Sequence, residues 1–529
     1  MRPIGVTRLG IATCAFVLLM FAGGGSALNA QGTSTMVSSW TVYHGNPQGT
    51  GVAPSVSSVI LSPRAWASPT LDGQIYGEPL AFDGLVFVAS ENDTVYALSA
   101  ASGAVVWSAH LGPPVPASAL PCGDISPTVG ITGTPVVDTA RSEVFVVADE
   151  LVGQHPAHEL VGLDAMTGKV ELTQNVDPPG STPPALLQRT GLALDAGRVV
   201  FGFGGNFGDC STYHGWVVSV PEVGGTAEDY AVDSGAGQSQ GAIWMGGAAP
   251  VVDSSGNIWV EAGNGSATSP GASYDHSDSV LELSPALALL QYFAPSSWAA
   301  ENARDLDLST APALLEDGEV VAAGKDGGAY LLDGAHLGGI GGEQLSMPRA
   351  CSQEIGGGAA IVGTTVYLPC LSGPVAVQVS SNPAGVRLLW RATSGGGPPI
   401  VAAGLVWSIG QNGTLYGISA TTGAVVEQAS IGAPANHFPT PSVGSGVLLA
   451  AGANDIVAFH VATNSAAAGT TTSSAAATST TATGARSKPP VSTGGLPAGA
   501  IVAIALGGLA VAAGAAWFWR RARRRGVAP

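Results

Sequence analysis

Positively charged residues are scarce in this sequence. Only 11% of the 529 residues are charged, and 37 Asp and Glu outnumber 19 Lys and Arg. Residues 31–461 hold ten of the Lys and Arg and all 37 acidic residues, which gives this part a net charge of −27. Such a surface would repel phosphates, so nucleic acid is excluded as a partner.

Cysteine is also rare, and its spacing excludes two kinds of site. None of the five cysteines forms a CxxC motif or a Cys/His pattern, so there is no sequence sign of a zinc site or of a CxxCH haem attachment. Cys14 lies in an N-terminal leader, which leaves Cys122, Cys210, Cys351 and Cys370. An even number of cysteines in an exported chain predicts disulfides, with three connectivities open.

Long apolar runs are confined to the two ends. Residues 1–30 have the basic, apolar and small-residue layout of a secretory signal, with cleavage expected near Ala30. The 22 residues from Ala498 to Trp519 carry no charge, and we predict a transmembrane helix over 496–519. Five arginines in the tail 520–529 predict that this end is cytoplasmic. The Leu496-Pro497-Ala498-Gly499-Ala500 segment does not match the LPxTG sortase signal.

The region between these ends contains a repeat. TVYALSAASGAVVW at 94–107 resembles TLYGISATTGAVVE at 414–427, each with alternating apolar residues, a glycine turn and a second apolar strand. Helical solenoids are excluded because 3.6-residue apolar periodicity is scarce. Alignment on one apolar position gives eight equivalents: Tyr96, Val161, Val217, Leu281, Tyr330, Ala376, Tyr416 and Val457.

Each repeat also contains two upstream β-prone runs, such as GEPLAFDGLVFVAS at 77–90. Four short strands per repeat predict an all-β fold, an eight-bladed β-propeller over 31–461, with seven blades as the alternative. The last repeat lacks an outer strand, and we expect Trp40-Thr41-Val42-Tyr43 to complete it. Residues 462–495, rich in Ala, Thr and Ser, are expected to be a flexible linker. Cys351 and Cys370 fall in one repeat, which favours their pairing and leaves Cys122 to pair with Cys210.

The hairpin that carries Ala97, Gly103 and Trp107 resembles the tryptophan-docking repeat of the pyrroloquinoline-quinone (PQQ) propeller family. In that family a Trp of one blade packs on a glycine turn of its neighbour. Trp107 and Trp390 fit the pattern, whereas Leu172 and Glu427 stand at corresponding positions of other repeats. The resemblance implies the fold, and the family contains both PQQ-dependent alcohol dehydrogenases and a non-enzymatic lipoprotein of outer-membrane protein assembly.

The resemblance also implies candidate site residues for a dehydrogenase. Asn264 matches the family's Ca²⁺-ligating Asn, and Asp305 and Asp307 match the segment that supplies its catalytic base. Oxygen ligands suit Ca²⁺, and a carboxylate beside a metal-polarised quinone would accept a hydroxyl proton. Against this, the sequence has no vicinal Cys pair and no third Ca²⁺ ligand.

We therefore expect a membrane-anchored, extracytoplasmic propeller that acts as a non-catalytic binding or scaffold module. Its ligand would be a protein, peptide or glycan. The alternative is a PQQ- and Ca²⁺-dependent dehydrogenase of an alcohol or sugar. The loop histidines His44, His214, His276 and His437 would form a metal site only if they converge, and we expect them to be ordinary hydrogen-bonding residues.

Overall fold

Eight four-stranded antiparallel sheets form the blades of a β-propeller. The computed structural model describes residues 39–464. Within them, each of the eight anchor positions of the repeat lies on the third strand of a different blade, which confirms the count and excludes seven blades.

The strands of each blade follow one another from the inside of the ring outwards. Blades 1 to 4 contain Leu80–Phe82, Leu85–Ser90, Thr94–Ser99 and Val105–His110; Val136–Asp138, Glu143–Val152, His155–Asp164 and Val170–Asn175; Ala193–Asp195, Arg198–Gly205, Trp216–Pro221 and Glu228–Ala231; Val251–Val252, Ile258–Ala262, Ser279–Leu283 and Leu289–Ala294. Blades 5 to 7 contain Ala313–Leu314, Glu319–Ala323, Ala329–Asp333 and Leu345–Met347; Ala360–Val362, Thr365–Leu368, Val375–Ser381 and Ala384–Arg391; Ile400–Ala402, Leu405–Gly410, Thr414–Ser419 and Val425–Ser430. Blade 8 contains Ser442–Gly444, Val447–Ala451, Ile456–Thr463 and, outermost, Val56–Ile60.

Smaller elements decorate this ring. Short strands are Val52–Ala53, Trp66–Ala67, Val115–Pro116, Thr128–Val129, Leu186–Leu187 and Gly339–Ile340. The described helices are Trp298–Asn302 and the 3₁₀ turns Tyr43–Gly45, Ala117–Ala119, Pro183–Ala185 and Met245–Gly247.

The burial of each strand depends on its place in the blade. In blade 1 the second strand, Leu85–Ser90, is buried along its whole length, whereas the outermost strand, Val105–His110, alternates between exposed and half-buried side chains. Neighbouring blades cover both faces of a middle strand, so its sequence reads as a continuous apolar run. The same alternation recurs in the outermost strands of blades 2 and 7.

Tryptophans join successive blades at glycine turns. Trp107 of blade 1 donates its indole N–H to the Ala165 carbonyl of blade 2 at 3.0 Å, and its ring lies against Gly168. Trp390 of blade 6 makes the same contacts with Ala420 and Gly423 of blade 7. The docking predicted from the resemblance is therefore present at both positions.

The ring closes with an N-terminal strand, but not with the predicted one. Val56–Ile60 pairs with the last strand, Ile456–Thr463, as the outer strand of blade 8. The prediction that Trp40-Thr41-Val42-Tyr43 fills this place is wrong. Trp66 follows the closing strand and docks on Gly103 of blade 1, donating to the Ala100 carbonyl at 2.8 Å. The sequence pattern did not single out this third docking tryptophan.

Residues 39–53, here called the axial segment, run along the inner strands instead. Trp40 pairs with Ala81 of blade 1, and the Thr41 carbonyl accepts from Val137 of blade 2 at 2.8 Å. Further along, the Thr50 and Gly51 carbonyls accept from the inner strands of blades 6 and 7. Trp40, Val42 and Tyr43 are all buried against the inner strands, whereas Pro47 further along the segment is exposed. The cavity left beside Tyr43 is only about 10 Å³.

The connections between strands differ at the two ends of the propeller. In an antiparallel four-stranded blade the first and third turns lie at one end, whereas the second turn and the crossing to the next blade lie at the other. The first end carries tight turns such as Asp83-Gly84. The second end, here called the long-loop face, carries connections such as 111–135, 232–250 and 295–312.

No helix within residues 39–464 has the length and apolar character needed to cross a membrane. The predicted signal 1–30, the transmembrane helix 496–519 and the tail 520–529 lie outside the described residues, as does nearly all of the linker.

Candidate functional site

Side chains from several blades gather where the long-loop face meets the axis. We call this group the axial site: Tyr76, Arg189, Trp244, Asp307, Lys325 and Asn436. Five of them stand on connections that lead into inner strands, and Lys325 stands on the second turn of blade 5. The axial segment fills the channel beneath them, so a ligand would reach the site from the long-loop face.

Lys325 connects the two candidate catalytic carboxylates. Its ammonium lies 2.6 Å from Asp305 Oδ1 and 3.0 Å from Asp307 Oδ1. The Asp307 side chain is 1% exposed, whereas that of Asp305 is 41% exposed. The ammonium also lies 5.2 Å from the centre of the Trp244 ring, a cation–π distance.

This arrangement keeps Lys325 charged. Burial lowers the pKa of Lys325, but the two carboxylates outweigh burial, so the pKa is raised overall. Burial raises the pKa of Asp307, and the Lys325 ammonium opposes that rise. A proton is therefore firmly held on the lysine, and the Asp307 carboxylate is already engaged by a cation.

Asn264 lies next to this group. A Cβ on the preceding residue, Gly263, would lie 2.5 Å from Asp307 Oδ2, so the carboxylate packs directly on that backbone. The buried Asn264 Oδ1 accepts no hydrogen bond among the described residues. The structure thus brings Asn264, Asp305 and Asp307 into one neighbourhood.

These residues do not fit a calcium ion. Calcium takes six to eight oxygen ligands, but Asn264 and Asp307 supply few, and Lys325 competes for the carboxylate. Within residues 39–464 no group of three or more His, Cys, Asp or Glu side chains is placed to hold a metal ion. The half-buried Trp244 ring would offer a flat surface to a quinone, but Lys325 lies beside the ring.

Arg189, Trp244 and Lys325 are site residues that the sequence reasoning missed. The Arg189 guanidinium donates to Asn436 Oδ1 at 2.8 Å and lies 5.9 Å from the centre of the Tyr76 ring. A Cβ on Gly247 would lie 2.2 Å from Arg189 Nη1, so the guanidinium rests against a glycine backbone. The scarcity of basic residues could have pointed to them, since residues 31–461 contain only ten Lys and Arg, of which Arg189 and Lys325 lie in the axial site.

The four singled-out histidines stay apart. His44 is buried in the axial segment and stacks on Tyr43, and burial lowers its pKa to about 4. His214 contacts Asp233, His276 contacts Tyr230, and His437 contacts Asp124. Each histidine therefore has its own partner.

Both favoured disulfides are present, and one of them borders the axial site. Cys351 pairs with Cys370, and Cys122 pairs with Cys210. Residues 120–125, here called the strap, are held by Cys122 on one side. On the other side Asp124 lies 3.5 Å from His437, the neighbour of Asn436. The strap therefore links the loops of blade 3 to those before blade 8.

Comparison with known structures supports the fold. The chain aligns with the quinohemoprotein alcohol dehydrogenase ADHIIG of Pseudomonas putida HK5 at a TM-score of 0.61 and 13% identity, over 81% of each chain. The quinohemoprotein alcohol dehydrogenase of Comamonas testosteroni aligns at 0.57 and 16%, over 82% of each chain. A europium-containing methanol dehydrogenase aligns at 0.58 and 13%, over 80% of this chain and 98% of that one.

Sequence comparison gives a different neighbour. A search of curated proteins found no match. The family model described as outer membrane protein assembly factor BamB matches residues 40–273. This chain is therefore similar to the quinohemoprotein and methanol dehydrogenases in its propeller fold, and to BamB in the sequence of its first half.

Proposed function

We propose that this chain is a non-catalytic binding module whose ligand, a peptide, protein or glycan segment, binds at the axial site from the long-loop face. The contact of Lys325 with both Asp305 and Asp307 carries this proposal. It engages the carboxylates that would otherwise serve as catalytic base and metal ligand. A rigid ring that presents loops from many blades is well suited to binding.

The proposal includes an extracytoplasmic position held by the predicted helix 496–519. The two disulfides support it, because disulfides persist in oxidising compartments. Removal of residues 496–529 should release the chain from the membrane fraction into the medium. A truncated chain that stays in the membrane, or collects in the cytoplasm, would contradict the anchor.

A dehydrogenase remains the second candidate, and one observation favours it. Asn264 Oδ1 and Asp307 Oδ2 are buried and accept no hydrogen bond among the described residues. Buried polar atoms of this kind are costly unless something binds them. The shortage of further oxygen ligands is why the binding module ranks first.

Matched lysine variants would test the binding module. Lys325→Gln removes one of the two cations of the axial site, whereas Lys169→Gln removes an exposed cation that is paired with Glu171 at the opposite end of blade 2. We expect arrays of defined glycans and peptides to give a ligand that Lys325→Gln loses and Lys169→Gln retains. If every bound ligand tolerates Lys325→Gln, Lys325 takes no part in binding, and the observation that carries the proposal fails.

The dehydrogenase has a separate measurement. The full chain is incubated with PQQ and Ca²⁺, and alcohol- or sugar-dependent dye reduction is followed. We expect none. Dye reduction that requires both additions and is abolished by Asp307→Asn would overturn the non-catalytic assignment.

A further inference from the structure

Arg189 differs from every other cationic side chain of the described propeller. Residues 39–464 contain ten Lys and Arg, of which Arg141, Lys169, Arg198 and Lys325 lie in ion pairs. Five of the other six are exposed to solvent: Arg64, Arg304, Arg349, Arg387 and Arg391. Arg189 alone in this set is both partly buried and without an ion-pair partner.

The chain does not lack acids to pair with it. The described region carries 37 Asp and Glu, yet none reaches ion-pair distance of Arg189. Burial lowers the pKa of Arg189, and the negative groups around it offset this effect only in part. A partly buried charge without an ion-pair partner is costly, and a bound anion would offset the cost.

The guanidinium is fixed but not saturated. It has five N–H donors, and among the described residues its hydrogen bond goes from Nη2 to Asn436 Oδ1. The Tyr76 ring and the Gly247 backbone hold the guanidinium in place. A fixed fork with spare donors matches the two oxygens of a carboxylate.

The surroundings favour a singly charged anion. Glu91 and Asp124 lie within electrostatic range of Arg189, although neither forms an ion pair with it. The hydrogen bond from His437 lowers the pKa of Asp124 and keeps it ionised, and its negative charge would repel a phosphate about twice as strongly as a carboxylate, since Coulomb energy scales with the charge.

We propose that Arg189 binds a carboxylate group of the ligand at the axial site. This inference rests on the proposed function, because it assumes that the site takes a ligand. It specifies the chemistry: a carboxylate held bidentately by the guanidinium, as offered by an acidic sugar or by the C-terminus of a peptide.

The test uses the full chain and simple carboxylates. Glucuronate represents the acidic sugar and N-acetylalanine the peptide C-terminus, each compared with its neutral amide and with inorganic phosphate by NMR titration. We expect one or both acids to bind with a Kd on the order of 1 mM and their amides to bind about tenfold more weakly or not at all. The acid that binds more tightly identifies the source.

Variants assign the binding to Arg189. Arg189→Gln should weaken binding of the acid at least about tenfold. Arg189→Lys should weaken it by less, because lysine keeps the positive charge but lacks the forked N–H donors of the guanidinium. Arg387→Gln is the matched control, since Arg387 is exposed on the outer strand of blade 6 and should bind as wild type. If Arg189→Gln does not fold, Asn436→Ala, which frees the guanidinium from its anchor, should still weaken binding.

Four results would overturn the inference: no binding of either acid, equal binding of acid and amide, tighter binding of phosphate, or an unchanged affinity in Arg189→Gln. Each can be told apart from failure of the proposed function. An array ligand that depends on Lys325 but not on Arg189 leaves the binding module standing. Loss of acid binding in Arg189→Gln, together with PQQ-dependent dye reduction, leaves the Arg189 assignment standing.

Discussion

At the scale of single residues, a tryptophan and a glycine define each docking contact. Trp107 meets Gly168, which has φ +70°, a backbone conformation that a side chain disfavours. A Cβ there would lie 2.5 Å from the indole ring. The glycine is thus required twice, for its backbone and for the space that the ring occupies. In blade 2 the corresponding Leu172 packs on Gly224 instead, so a leucine takes the place of the tryptophan.

Two alanine substitutions in blade 2 separate these requirements. Gly153, with φ +58° and open space around its Cβ position, serves as the control for Gly168. Gly153→Ala should cost about 1–2 kcal/mol from backbone strain alone. Gly168→Ala should cost about 1–3 kcal/mol more, because the Trp107 ring must also move. Urea unfolding followed by tryptophan fluorescence measures both, and equal losses would show that the ring adapts without cost.

At the scale of elements, the N-terminal region supplies two pieces rather than one. Trp40-Thr41-Val42-Tyr43 is β-prone and follows the predicted signal 1–30, so the sequence pattern favoured it as the closing strand. In the structure its Trp40, Val42 and Tyr43 side chains are buried along the axis, and Val56–Ile60 closes the ring. The Val56–Ile60 segment gave a weak strand signal because a register shift between Val56 and Ser58 breaks its alternation.

Neighbouring positions of the closing strand give opposite predictions. Val59 is 8% exposed and pairs with Val461, whereas Ser58 faces solvent. Val59→Asp should destabilise the propeller by about 2–4 kcal/mol, since an unpaired charge is buried at the seam of the ring. Ser58→Asp should change stability by less than about 0.5 kcal/mol. Urea midpoints and the rate of limited proteolysis would show this difference, and similar behaviour of the two variants would contradict closure by this strand.

At the scale of the whole molecule, the acidic composition reaches into the interior. Burial raises the pKa of Glu91 to about 7, and it raises that of Asp149 to about 7 against the opposing effect of His158. Asp149 and His158 stand opposite each other on adjacent strands of blade 2, with 3.8 Å between Asp149 Oδ2 and His158 Nε2. The folded chain therefore holds protons that the unfolded chain would release.

This predicts a fold that loses stability as pH rises towards neutrality. A carboxyl whose folded pKa lies above its unfolded value stabilises fully below the unfolded pKa, and the gain is lost as pH rises through the folded pKa. For Asp149 the loss between about pH 5 and pH 8 should be about 1–3 kcal/mol. Asp149→Asn should flatten the dependence of the melting temperature on pH over this window.

Asp164 provides the control for this effect. The Thr167 hydroxyl lowers the pKa of Asp164, so its contribution is present above its unfolded pKa and is constant over the same window. Asp164→Asn should therefore leave the slope unchanged. A slope that Asp149→Asn does not alter would place the titration on other groups.

The propeller fold could be predicted from the sequence alone, because a repeated strand pattern is local information. All eight anchors fall on third strands, both favoured disulfides form, and Trp107 and Trp390 dock as the resemblance implied. The sequence also pointed to Asn264, Asp305 and Asp307 as candidate site residues, but only because they match a family motif; their contacts could not be inferred from it.

The surroundings of those residues could not be predicted from the sequence, because they depend on contacts between distant parts of the chain. Lys325 reaches Asp305 and Asp307 across a turn of blade 5, and Arg189 meets Asn436 from 247 positions away. Closure of the ring brings such residues together, and the burial that fixes their charge and their partners exists only after closure. The strand pattern therefore predicted a propeller. The proposal of a binding site rests instead on the paired Lys325 and the unpaired Arg189, whose surroundings form only when the ring closes.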